Sequence, residues 1–244
     1  MASFRPEVVV ASLDVLQSDF AVRTAHLAHQ AIAARGRFSL AVPGGSLATA
    51  LLPSLVGAPI DWSSTDIFWC DERAVPPEDP QSNFGATRAG WLGTSALREA
   101  RAHPMPGGEA DLVVAATAYA EELRRTLGTP PAIDLVVLGV GEDGHVASLF
   151  PGALALEERE LWVAVVTDAP KPPPQRLTLT VPVLQHARVI CIAAFGASKR
   201  QVMRSALDDP ASDLPVAQVL RLATRAWVML DPSSAGTGAS GENA

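Results

Sequence analysis

His145 follows Asp143 by two residues in GVGEDGHVASLFPG (139–152), with Gly141 and Gly144 close by. An imidazole gives and takes protons near neutral pH, and a carboxylate two residues away can orient it or tune its basicity. The glycines permit a tight loop and a close approach of backbone to a ligand. Such a group suits general-base work on water or on a sugar hydroxyl. The competing reading is a histidine that caps the following helix. The chemical reading is preferred because the loop leaves the most apolar strand of the chain.

Three more strand ends carry groups that could meet an anion. PGGS (43–46) closes an apolar strand and opens a helix, so the backbone of Gly44, Gly45 and Ser46 could present unpaired N–H groups. WCDERAVP (69–76) places Asp71 and Arg73 just past a strand, where Arg73 either turns inward as a forked anion ligand or lies on a solvated edge. FGASKR (195–200) puts Lys199 in the first turn after a strand, as a phosphate contact or as an ordinary surface lysine. A stiff segment, APKPPPQ (169–175), leads into Arg176 and is either a loop over a pocket or a plain connector. His26 and His29 lack a third ligand and read as a surface pair, so no metal site is expected. The glycine spacing of GVGEDG is not that of a dinucleotide site, and no Walker loop or GxSxG elbow is present, so no cofactor is expected.

The elements that must carry these residues alternate. Strands are expected over 7–13, 38–45 (running into a glycine turn), 65–70, 133–141, 161–166, 176–181, 188–195 and 226–231. Helices are expected over 14–36, 46–56, 117–127, 198–207 and 215–223. The fold expected from this order is α/β: one Rossmann-like domain over residues 1–232, with a mostly parallel sheet and helices on both faces. Ligands then bind beyond the carboxyl ends of the strands, which brings the four motifs together. Residues 233–244 (SSAGTGASGENA) read as a disordered tail.

With 48% hydrophobic residues in 244, the chain can build a sizeable core. A net charge of −7 without any basic run argues against nucleic-acid binding, so an anionic ligand needs a local cationic cluster. Cys70 and Cys191 lie in apolar runs and read as buried free thiols of a reducing compartment, which with no visible secretory signal gives a cytoplasmic expectation. No apolar run is long enough for a membrane helix.

Taken together, PGGS, DERAVPPEDPQSNFG (71–85), HPMPGG (103–108), IDLVVLGVGEDGHVASLFPG (133–152), PPPQRLTLTVPVL (172–184) and GASKR (196–200) resemble the 6-phosphogluconolactonase branch of the glucosamine-6-phosphate isomerase/6-phosphogluconolactonase family. The resemblance covers about residues 38–207. It implies hydrolysis of 6-phospho-D-glucono-1,5-lactone to 6-phospho-D-gluconate, the second step of the oxidative pentose phosphate pathway. His145 would activate water and Asp143 would orient it or tune its basicity. Arg73 and Lys199 would hold the 6-phosphate or developing charge, with Gly44, Gly45 and Ser46 lining the same anion site. Asp71, Gly144 and Arg176 would contact substrate, and Ser82 and Asn83 match the family's SN pair. A small-molecule sugar phosphate is the implied partner, and a monomer the implied state.

The deaminases of the same fold read DEY and DGHIAFNEP where this chain has DER (71–73) and DGHVASLFP (143–151), so their tyrosine and ring-opening glutamate are missing here. Two alternatives remain: an isomerase or deaminase using Asp71 as a C2 base, and a non-catalytic sugar-phosphate sensor. The chain also departs from the branch's usual GGSTP with Gly44–Gly45–Ser46–Leu47–Ala48, which removes a threonine hydroxyl from the first loop.

Overall fold

The computed structural model describes residues 6–237. In chain order these form β1 (Glu7–Val10), α1 (Leu13–Arg35), β2 (Phe38–Val42), α2 (Gly45–Leu51), β3 (Thr65–Trp69), β4 (Asp71–Arg73), α3 (Asn83–Thr87) and β5 (Arg101–His103). They continue through α4 (Leu112–Leu127), β6 (Leu135–Gly139), α5 (Leu154–Glu157), β7 (Val163–Val166), β8 (Arg176–Leu179) and α6 (Val181–Gln185). The chain then forms β9 (Val189–Ala194), α7 (Arg200–Asp208), α8 (Pro215–Leu222), β10 (Ala226–Leu230) and α9 (Pro232–Ala235).

Seven strands make one parallel sheet in the order β1-β10-β9-β6-β2-β3-β5. Every residue of β2, β3, β9 and β10 is buried. That is why these strands read as continuous apolar runs: a parallel sheet flanked by helices buries both faces. Helix α1 turns Leu16, Phe20, Ala28 and Ala31 inward at helical spacing, and Gly36 ends it in the left-handed region (φ 73°) with its N–H on the Ile32 carbonyl. From β2 the sheet grows in two directions, to β3 and β5 on one side and to β6, β9 and β10 on the other. The crevice between β2 and β6 is therefore the switch point at which such sheets bind ligands.

A second sheet corrects the expectation for two strands. β7 and β8 do not join the parallel sheet; with β4 they form an antiparallel sheet in the order β4-β8-β7, pairing Asp71 with Thr178 and Arg73 with Arg176. Cys70 is the joint between the sheets, since its N–H donates to Val42 O (2.9 Å) and its carbonyl accepts from Leu179 N–H (2.8 Å). Cys70 and Cys191 are both buried and free.

Several boundaries move. The strand expected to reach residue 13 stops at Val10, and Ser12 occupies the N-cap of α1. α4 starts five residues earlier than its apolar period suggested, because the Asp111 carboxylate accepts the N–H groups of Val113 and Val114. Within the expected tail, α9 is ordered: Asp231 Oδ1 accepts from Ser234 N–H, and Ser234 Oγ donates to Ala194 O. Residues 238–244 of that tail lie outside the described residues. No described helix is long and apolar enough to cross a membrane.

Candidate active site

A cleft of about 690 Å³ opens at the carboxyl ends of β2, β6 and β9. It is lined by Gly139–Gly141 after β6, Ala193–Gly196 after β9, Pro43–Leu47 after β2, and by Asp71, Arg73 and Arg176 of the small sheet. Of the residues singled out from sequence, Gly44, Gly45, Ser46, Asp71, Arg73, His145, Arg176 and Lys199 line it. Asp143 stands behind His145.

The His145 ring is held from behind. Its Nδ1 lies 2.5 Å from Asp143 Oδ1, and the same oxygen accepts its backbone N–H at 3.2 Å. Two carboxylate contacts to one residue fix the ring's orientation and leave Nε2 with no partner among the described residues. Phe150 closes the other side, its ring centroid 4.5 Å away. The pair needs Gly141, where a Cβ would stand 2.0 Å from His145 Nδ1. Burial raises the Asp143 carboxyl, but hydrogen bonding and attraction from His145 outweigh it and leave it below the usual carboxylate range. The carboxylate thus stays charged at neutral pH. Next in the loop, Ala147 lines the cleft at φ 49°, a conformation that costs a residue with a Cβ of order 1 kcal/mol.

Gly144 departs from its expected place. It does not line the cleft: at φ 81° it turns toward Leu214, whose Cδ2 would be 2.9 Å from an added Cβ. Its N–H is bonded to Gly141 O and its carbonyl to Val216 N–H, so it ties the loop that carries His145 to α8.

Arg73, Arg176 and Lys199 line one cleft, the local cationic cluster that an anionic ligand would need. Arg73 Nη1 donates to Gln81 O (2.7 Å), while its Nε is buried with no partner, which suits an anion in the cleft. Lys199 Nζ is 4.0 Å from Glu142 Oε1, and burial, with Lys171 nearby, lowers its ammonium below the usual lysine range. Arg176 is differently engaged. Its Nε donates to Pro173 O (3.1 Å), its Nη2 to Lys171 O (2.7 Å) and its Nη1 to Ser148 Oγ (3.5 Å), with Phe150 beneath it at 5.5 Å.

Sequence reasoning passed over Glu72, Ser148 and Lys171. Glu72 is buried without a cation; its carboxylate accepts from the N–H groups of Arg73, Asn83 and Phe84, each at 2.7 Å, and from Ser82 Oγ at 3.1 Å. It therefore fixes the loop that carries Arg73 and Asn83. Burial, with Asp71 alongside, raises its carboxyl above the usual range in spite of the three N–H bonds. Asn83 Nδ2 donates to Asp71 O and Oδ1, and Ser148 Oγ to Asp71 Oδ2 (2.7 Å), so both Asp71 oxygens are oriented. A Cβ on Gly44 would sit 1.8 Å from Asn83 Oδ1, which explains a glycine there. Leu47 lines the cleft and packs on Gly139, where the branch's usual threonine would bring a hydroxyl. The usable signal for Glu72 was an acid within DER followed by SN (82–83); for Lys171, a lysine inside a stiff loop.

Comparison with known proteins agrees with this architecture. Residues 11–228 match the family model described as glucosamine-6-phosphate isomerases/6-phosphogluconolactonase. A 6-phosphogluconolactonase of Mycobacterium leprae is 35% identical, the match covering 87% of this chain and 90% of the relative. The 6-phosphogluconolactonase of Rattus norvegicus is 41% identical over 76% of this chain and 74% of the relative. Among solved structures, a 6-phosphogluconolactonase from Trypanosoma brucei superposes with a TM-score of 0.83 at 28% identity, covering 97% of this chain and 100% of the other. A monomeric glucosamine-6-phosphate deaminase shares the fold at 19% identity and a TM-score of 0.76, covering 96% and 100%. By sequence match and by fold, the chain belongs to the glucosamine-6-phosphate isomerase/6-phosphogluconolactonase family.

Proposed function

We propose that the chain hydrolyses 6-phospho-D-glucono-1,5-lactone to 6-phospho-D-gluconate, in the oxidative pentose phosphate pathway, with a water molecule activated by His145. The observation that carries the mechanism is the Asp143–His145 pair at 2.5 Å on a cleft wall shared with Arg73 and Lys199. Curated relatives at 35–41% identity bear the corresponding name.

In this mechanism the cations hold the phosphate and so place C1 near His145, which turns remote binding energy into positioning. His145 Nε2 takes a proton from water as the water oxygen bonds to C1. The carbonyl oxygen becomes an oxyanion that needs a donor, and the orphaned Arg73 Nε is the candidate. The C1–ring-oxygen bond then breaks, and the imidazolium returns its proton to the departing oxygen. One water is consumed, and the acid product ionises. A lactone is a reactive ester, so the sequence of steps needs no covalent nucleophile. Asp143 keeps the ring turned and stabilises its charged form between the two proton transfers.

A monomer is the working unit in this reading. The buried free thiols support a reducing, cytoplasmic setting, and the net negative charge supports a role without nucleic acid. The test generates the phospholactone in situ from glucose 6-phosphate and follows its loss against spontaneous opening. Acceleration that depends on the 6-phosphate is expected. Its absence in folded protein, or ammonia release from glucosamine 6-phosphate, would overturn the reading.

A further inference from the structure

The segment Lys171–Pro174 forms a strap that joins β7 to β8 along the cleft. Lys171 and Pro172 line the cleft, Lys171 is exposed, and nothing pairs with its ammonium among the described residues. The strap is held by one side chain. Arg176, 5% exposed, directs Nε to Pro173 O and Nη2 to Lys171 O, while Phe150 beneath and Ser148 beside it keep the guanidinium in place. Backbone bonds secure the strap's two ends, Ala169 N–H to Pro174 O and Ala74 N–H to Gln175 O, each at 3.0 Å. Prolines at 172, 173 and 174 stiffen it. A guanidinium has five N–H donors, and three of those of Arg176 are already aimed at protein oxygens. It is thus poorly placed to grip a phosphate in a fork. Lys171, by contrast, is an unpaired cation near Lys199, close enough to act on its titration. Two ammonium groups, one on the strap and one after β9, face one opening.

We propose that Lys171 is a specificity-determining residue that contacts the phosphate of the substrate together with Lys199, and that Arg176 is a positioning residue that acts through the strap. This rests on the phospholactonase reading above. It divides the cleft by function: Lys171 and Lys199 for the phosphate, and Arg73 with His145 for the lactone carbon.

The test compares 6-phosphogluconolactone with unphosphorylated glucono-1,5-lactone, measuring kcat and KM separately for each. In Lys171→Met, KM for the phospholactone is expected to rise by about tenfold or more, roughly 1.4 kcal/mol, with kcat changed less than twofold. The ratio of kcat/KM between the two lactones then falls by the same factor, and Lys171→Arg restores most of it. Arg176→Gln is expected to raise KM in the same way, and the double variant Lys171→Met/Arg176→Gln to be no worse than the worse single one. Thermal melts confirm that each variant is folded. An unchanged lactone ratio in Lys171→Met, with active wild type, overturns the assignment of Lys171. Additive losses in the double variant overturn the strap role of Arg176 and make it a substrate ligand. If wild type hydrolyses neither lactone, the phospholactonase reading fails instead, and inorganic phosphate titrated into wild type and Lys171→Met still decides whether Lys171 holds an anion: weaker binding in the variant supports it, equal binding overturns it.

Discussion

Two strand ends meet in the cleft, and both carry a partly or wholly buried acid, yet they use it in opposite ways. After β6, Asp143 is paired with an imidazole and held below the usual carboxylate range. After β3, Glu72 is surrounded by backbone N–H groups, and burial pushes its carboxyl up. One acid orients an imidazole; the other orients backbone, and through it Arg73 and Asn83. Chemical type alone does not separate the two. What separates them is the partner: an imidazole at one site, peptide dipoles at the other.

His145→Ala tests the β6 end most directly. kcat is expected to fall about a thousandfold, with KM little changed, because only proton transfer is removed. Its melting temperature should stay within a few degrees of wild type. Glu72→Ala should do the reverse: three N–H groups lose their acceptor in a buried place, costing about 3 kcal/mol and lowering Tm by roughly 10 °C. Should His145→Ala melt as early as Glu72→Ala, the contrast between the two ends is wrong.

A smaller effect is expected for Asp143→Asn: about a hundredfold loss in kcat at unchanged fold, since the ring keeps its place less well and its charged form loses support. Equal loss of phospholactone binding would show that Asp143 faces substrate instead.

The smallest effect is the pH dependence of stability, and the two acids have opposite signs. Asp143 has a folded pKa below 3.8, so its contribution is present above 3.8 and is lost as pH falls through the folded value. Glu72 has a folded pKa above 4.5, so its contribution is present below 4.5 and is lost as pH rises through the folded value. Urea midpoints at several pH values should thus fall less steeply toward acid in Asp143→Asn than in wild type. In Glu72→Gln they should rise more steeply from pH 4 toward neutrality. Parallel profiles in all three proteins would remove the contrast.

Much of the fold is legible in the sequence for one reason. β2, β3, β6, β9 and β10 are buried nearly throughout, so their residue types are dictated locally. The elements that escape, β4, β5, α3, α5, α6 and α9, run three to five residues, too short to show a period. Two of them are held by bonds from elsewhere in the chain: β4 pairs with β8, and the N-terminus of α3 bonds to Glu72. In the site, motifs at strand ends located the groups that line the cleft. Gly144 misled because its positive φ serves the packing of Leu214, and a glycine's reason for being there is invisible until its neighbour is known.

By itself the sequence determined the parallel sheet, the strand ends that converge on one cleft, and the acid–histidine pair, whose members are two residues apart and meet through a local turn. Only the tertiary structure decided which cation does what. Arg73, Lys171, Arg176 and Lys199 come from four separate stretches, and each is defined by its partners: Gln81 O for Arg73, strap carbonyls for Arg176, Glu142 for Lys199, and open cleft for Lys171. Arg73 and Arg176 find their carbonyl partners within eight residues, but the convergence of the four cations on one cleft, and the meeting of Lys199 with Glu142 from another strand end, come from the packing of distant segments, which residue spacing does not record.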